Sequence, residues 1–121
     1  MIKYEATVTE IGPLVSEFVN AGILVFFGED TPEELREFAI IHDGKVLASD
    51  VVPGDTVVLD EDSYEVLAVG DVANKNLANL GHLILKFNGL EEAKLPGDVC
   101  VEDKPVHQVK VGTVFKILSE A

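Results

Sequence analysis

The chain has 121 residues, 47% of them hydrophobic and 26% charged. That is the composition of one globular domain, spanning 1–121, with a core of its own rather than a disordered segment. Acidic residues outnumber basic ones 22 to 9, a formal net charge of −13, which repels phosphate backbones and anionic lipid and argues against nucleic acid as a partner. No apolar run approaches the roughly 18 residues needed to cross a bilayer, and "MIKYEATVTE" lacks the apolar h-region of a signal peptide, so no membrane insertion is expected. The single cysteine, Cys100, excludes an internal disulfide framework and fits a reducing cytoplasm. The negative surface suits a basic protein partner, although colloidal solubility accounts for it equally well.

Period two dominates from the start. "KYEATVTEIG" (3–12) alternates as a strand does. "GPLVSEFVNAG" (12–22) reads as a short helix with Leu14, Val15 and Phe18 inward and Gly22 ending it, and "ILVFFG" (23–28) is a buried strand. "DTPEELREF" (30–38) has a Thr cap, Pro at the first helical position and Glu in the first turn, so a second short helix is expected. In "EFAIIHDGKV" (37–46) the apolar residues Phe38 to Ile41 form a strand. His42 ends it at the rim, and Asp43-Gly44 gives a two-residue hairpin signal leading into a further strand, "KVLASDVV" (45–52).

"DTVVLD" (55–60) and "SYEVLAVGD" (63–71) follow as strands. "DVANKNLANLGH" (71–82) sets Val72, Leu77 and Leu80 on one helical face and stops at Gly81, a natural C′ residue. "HLILKF" (82–87), "DVCVED" (98–103) and "GTVFKIL" (112–118) complete the strands. Two Pro-Gly turns, "VPGD" (52–55) and "LPGD" (95–98), each precede an apolar strand. Many short strands with two or three short helices predict an all-β fold, mainly antiparallel, as a barrel or sandwich.

Motifs for most chemistries are absent. There is no Gly-rich phosphate loop, HExxH, CxxC or GxSxG. A zinc site would have to recruit His42, His82, His107 and Cys100 from distant positions, so neither a metal nor a cofactor is expected. Cys100 between Val99 and Val101 is a small packing residue in a strand, and His107 in "KPVHQVK" is a solvated loop residue. Neutral imidazole offers a nucleophilic lone pair near pH 7. His42 and His82 each stand at the lip of an apolar strand, where they could face one another across a barrel mouth. Spacing leaves three readings open: a histidine nucleophile, an acidic noncatalytic adaptor, and a metal-assisted enzyme on His42 and His82.

The residues also carry a family resemblance. "YEATVTEIG", "PEELREFAIIH", "VLAVGDVANKNLANLGHLILKFNGL" and the late "LPG" turn resemble, over the whole chain, the glucitol/sorbitol-specific IIA component of the bacterial phosphoenolpyruvate-dependent sugar phosphotransferase system. The resemblance implies a small closed β-barrel and a phosphoryl relay. HPr, the histidine-containing phosphocarrier, donates to the IIA histidine, and IIA passes the group to the IIB part of a membrane permease. "IIH" at 40–42 falls where the family carries its phosphorylated histidine, so the resemblance implies His42 as acceptor. His82, in the "LGH" motif, is expected on chemical grounds as a hydrogen-bond donor to phosphoryl oxygens. Gly44 and Gly81 are expected to let a partner's backbone approach and to free main-chain N–H groups for the phosphoryl group.

Overall fold

A computed structural model describes residues 1–120. Its strands are β1 (Ile2–Ile11), β2 (Ile23–Gly28), β3 (Ile40–His42), β4 (Thr56–Leu59), β5 (Asp62–Val69), β6 (Leu83–Lys86), β7 (Asp98–Val101) and β8 (Val114–Leu118). Three short helices, α1 (Val15–Asn20), α2 (Glu33–Arg36) and α3 (Ala73–Leu80), fill the connections. The strands close into a barrel in the order β1-β3-β2-β6-β7-β5-β4-β8. Neighbours are antiparallel except for the parallel pairs β2–β3 and β6–β7. Closure leaves no free sheet edge, which is how so short a set of strands satisfies its backbone.

The alternation seen in the sequence sorts the side chains. Tyr4, Ala6 and Val8 of β1 point inward, and so do Tyr64, Val66 and Ala68 of β5. At the barrel centre Phe26 stacks on Phe115, with ring centroids 4.7 Å apart and planes 19° apart. Lys3, on the opposite phase of β1, is nevertheless buried. Its ammonium meets Asp55 Oδ2 at 2.7 Å and the Asp50 carbonyl at 2.8 Å, tying the first strand to the first Pro-Gly turn. The second such turn repeats the device: Asp98 Oδ2 accepts the Leu95 N–H and pairs with Lys86.

The three helices form where expected but shorter. α1 buries Val15 while Leu14 stays exposed, and α3 buries Ala73 and Leu77 while Val72 and Leu80 face outward. Thr31 does not cap α2. Pro32 takes the N-cap position, and the Thr31 hydroxyl donates instead to the Gly28 carbonyl at 2.7 Å.

The segment after His42 departs from expectation. Residues 45–52 form no regular strand, and Asp43-Gly44 is not a hairpin turn. Val8 pairs with His42, the Asp43 N–H donates to the Thr7 carbonyl, and the Ala48 N–H donates to the Lys3 carbonyl. The chain therefore runs straight on beside β1, without a ladder. Asp43 holds this path because its Oδ1 accepts the Thr7 N–H at 2.7 Å, a bond that a turn residue would have made to its own backbone. Gly44 serves close approach: a Cβ there would fall 2.6 Å from Tyr4 Cε2 and 2.9 Å from Ala6 Cβ.

Candidate functional site

β3 is only three residues long, and both its neighbours are longer strands. His42, its last residue, turns its ring into the barrel and has no exposed surface, rather than standing at the rim. Its ring lies among Tyr4, Phe26 and Phe115, with centroids 5.8, 6.2 and 6.0 Å away. β1 runs on past His42 toward Ile2, β2 ends level with it at Gly28, and the unladdered chain beyond Asp43 meets the ring through the Gly44 N–H.

Both ring nitrogens are held by main chain. The Gly44 N–H donates to Nδ1 at 3.1 Å, so Nδ1 bears the lone pair. Nε2 then carries the proton and donates it to the Gly81 carbonyl at 2.8 Å. The ring is thus a neutral imidazole in one tautomer. Burial pushes its pKa below the ordinary 6.5, and the Gly81 bond and the charges of Asp43 and Glu29 offset this only in part.

Gly81 is where the C-terminus of α3 meets this ring. It takes the left-handed conformation at φ +63°, and its N–H caps the helix on the Leu77 carbonyl. Its own carbonyl is left for His42 at the negative end of the helix. No side chain fits there, because a Cβ would lie 2.9 Å from Gly28 N and 3.0 Å from His42 Cε1. Gly81 therefore contributes its carbonyl to the site and Gly44 contributes its N–H.

A cleft of about 220 Å³ opens over this arrangement, lined by Gly44 and Gly81 together with Tyr4, Glu29, Lys45 and Leu80. Lys45 brings positive charge to the opening, 3.7 Å from Glu29. Leu80 and Val46 supply exposed apolar surface close by, whereas Ile40 and Ile41 are wholly core.

His82 keeps different company. Its ring stacks on Phe27 at 4.0 Å and 10°, and Nδ1–H donates to the Phe26 carbonyl at 3.2 Å. Phe27 borders the cleft, so His82 stands behind the cleft wall, joined to His42 through the backbone of Gly81. His107 is not a solvated loop residue. Its Nδ1 meets Asp62 at 2.7 Å and its Nε2 meets Asp60 at 3.0 Å. Glu61, Asp62 and His107 come near enough to one another to suggest a cation site, but both ring nitrogens are already committed to carboxylates. Cys100 is a buried, free thiol in β7.

Tyr4 belongs to the site and was not singled out by the sequence pattern. Alternation places it inward on β1, but only the fold sets it against Gly44 and His42.

A PTS system IIA component from Enterococcus faecalis V583 has the same fold, at a TM-score of 0.82 and 25% identity over 94% of this chain and 98% of that one. A closed mixed barrel of this design is thus shared with a phosphotransferase-system IIA component. A family model for the PTS system glucitol/sorbitol-specific IIA component matches residues 3–116. The glucitol/sorbitol-specific EIIA components of Shigella flexneri and Escherichia coli K12 are each 37% identical over 118 residues, covering 98% of this chain and 96% of theirs. The chain belongs to the glucitol/sorbitol-specific IIA family of the sugar phosphotransferase system. It is a phosphoryl carrier of that relay, and no helix among its described residues is long and apolar enough to cross a membrane.

Proposed function

We propose that His42 carries the phosphoryl group, taking it from phospho-HPr and handing it to the IIB part of a glucitol/sorbitol permease in the cytoplasm. Residues 1–121 act as one domain and need no metal or cofactor. The observation that supports this is the state of the ring: neutral by burial, fixed in one tautomer by Gly44 and Gly81, and separated from a surface cleft mainly by glycine backbone.

In the transfer an imidazole lone pair of His42 forms the new N–P bond while the donor's N–P bond breaks, and the electron pair stays on the donor imidazole. Nothing is oxidised, so positioning and charge neutralisation are what the protein supplies. At rest the lone pair is on Nδ1; attack through Nε2 requires the ring to leave the Gly81 carbonyl and hold its proton on Nδ1. Because the ring is covered, partner docking has to part the main chain around Gly44 and Gly81. Glycine at both positions lets a partner's backbone come close, and once Nδ1 is released the Gly44 N–H is free for a phosphoryl oxygen. His82, braced on Phe27 with Nδ1–H on the Phe26 carbonyl, has Nε2 left to donate to the phosphoryl group when its ring is protonated.

The local charge is balanced for reversibility. Lys45 attracts the phosphoryl dianion, while Glu29, Asp30 and Asp43 oppose it, so the carrier is not a deep anion trap. The surplus of acidic residues steers a basic HPr face toward the chain.

The test is phosphorylation with phosphoenolpyruvate, enzyme I and HPr. Wild type takes up one acid-labile, alkali-stable phosphoryl group per chain. His42→Gln takes up none, and His82→Gln is slowed but not abolished. Full labelling of His42→Gln would overturn the site assignment.

A further inference from the structure

The chain has two tyrosines, and their hydroxyls are treated differently. Tyr64 is fully satisfied: its hydroxyl donates to the Pro105 carbonyl and accepts the His107 N–H, both at 2.9 Å. The Tyr4 hydroxyl is buried and has no hydrogen-bond partner among the described residues. The residue as a whole is 2% exposed, yet it lines the cleft above His42. A buried hydroxyl without a partner is costly to keep, and a barrel needing only an aromatic filler would be served by phenylalanine.

Gly44 locates this hydroxyl relative to the reacting ring. The Gly44 N–H is bonded to His42 Nδ1 at 3.1 Å. On the same residue, a Cβ would lie 2.8 Å from the Tyr4 hydroxyl. The hydroxyl therefore stands one small residue away from His42 Nδ1, on the cleft side, and the absence of a Gly44 side chain leaves its approach open. The two rings meet edge to face, at 86°, with centroids 5.8 Å apart.

We propose that the Tyr4 hydroxyl is a phosphoryl-binding donor of this site, hydrogen-bonding a phosphoryl oxygen once the group is on His42. The inference rests on His42 being the acceptor. Burial and the neighbouring Asp43 charge push the Tyr4 pKa up to about 12, so the hydroxyl keeps its proton and serves as a donor rather than a base. Without the phosphoryl group the donor has no acceptor; with it, Tyr4 joins the Gly44 N–H as a second donor at the transferred group. No proton changes hands, because the bond is a contact and not a step of the transfer.

Tyr4→Phe removes the oxygen alone and keeps the ring packing, so thermal unfolding stays at or above the wild-type midpoint. Transfer from phospho-HPr is expected to slow by about tenfold, and the phosphoryl equilibrium to move toward HPr by about the same factor. The same assay on wild type and His42→Gln separates the two ideas. Labelling of His42→Gln overturns the acceptor assignment and Tyr4 with it. Labelling lost only in His42→Gln, with Tyr4→Phe matching wild type in rate and equilibrium, overturns Tyr4 alone. A measurement without mutation gives an independent check. In wild type labelled at tyrosine Cζ, the Tyr4 carbon resonance should move on phosphorylation while that of Tyr64 stays. A Tyr4 resonance that does not move counts against the proposal.

Discussion

His42 and His107 are the same residue in opposite settings. His42 has one nitrogen accepting from the backbone N–H of Gly44 and the other donating to the backbone carbonyl of Gly81, an arrangement that suits only the neutral ring. His107 has a carboxylate on each nitrogen, Asp62 and Asp60, an arrangement that suits the imidazolium. For His42, burial is the leading influence and lowers the pKa. For His107, burial also works against the proton, but the hydrogen bonds and charges of Asp62 and Asp60 outweigh it and the pKa rises. A histidine ring stays neutral when burial and main-chain partners outweigh nearby carboxylates, and takes a proton when carboxylates bond it directly. His107 instead becomes a clamp, joining the β4–β5 turn to the loop before β8.

The largest effect expected from breaking this contrast is at Gly81. Gly81→Ala places a methyl in the left-handed region at φ +63° and against Gly28 N and His42 Cε1. We expect a loss of about 1–3 kcal/mol in stability together with a hundredfold or greater loss of phosphoryl acceptance, because the ring and its carbonyl partner are both displaced. Gly112→Ala, in the turn before β8, is the control: φ is +97° but a Cβ there would meet nothing within 4 Å. It should cost backbone strain alone, and leave transfer at the wild-type rate. Urea unfolding and the transfer assay read the two variants side by side. Equal transfer in both would mean that the Gly81 packing does not govern the site.

Much of this contrast was hidden in the sequence for a physical reason. Strand patterning is local, so β1, β4, β5, β6 and β8 coincide with alternating runs and β2 and β7 with short apolar ones, and Gly81 as a helix stop could be read from its position after Leu80. What fails to show locally is any choice made by a distant partner. Asp43-Gly44 has the composition of a hairpin, yet Asp43 is committed to Thr7 and Gly44 is needed for clearance from Tyr4, about 40 residues earlier in the chain. His107 resembles a solvated loop residue because its two carboxylates lie 45 and 47 residues away. The position of His42 was legible and its burial was not, since depth depends on which strands flank β3.

Titration sharpens the comparison with a smaller effect. Followed by ring proton or nitrogen resonances, His107 should titrate above the ordinary 6.5 and His42 below it. The linkage signs are opposite. His107 has a raised folded pKa, so its contribution is complete below about pH 6.5 and is lost as pH rises through the folded value. His42 has a lowered folded pKa, so its contribution is present above about pH 6.5 and is lost as pH falls through the folded value. A stability curve should therefore fall off on both sides of a region near pH 6.5 for these two groups. Asp62→Asn should flatten the alkaline side and leave the acid side unchanged. Identical titration of the two rings would erase the distinction.

The smallest effect is expected from removing the clamp itself. His107→Gln keeps a hydrogen-bonding side chain but deletes the charge that Asp60 and Asp62 share. Both carboxylates are partly open to solvent, with side-chain exposures of 33% and 51%, so water screens the pair strongly. The loss should stay within about 1 kcal/mol at pH 6 and shrink toward zero as pH rises past the His107 pKa. Phosphoryl transfer should not change, because the clamp shares no contact with the cleft over His42. Thermal unfolding at pH 6 and pH 9, with the transfer assay alongside, checks both halves. A transfer defect in His107→Gln would show that this corner is coupled to the cleft over His42, and the two rings would then belong to one site instead of two.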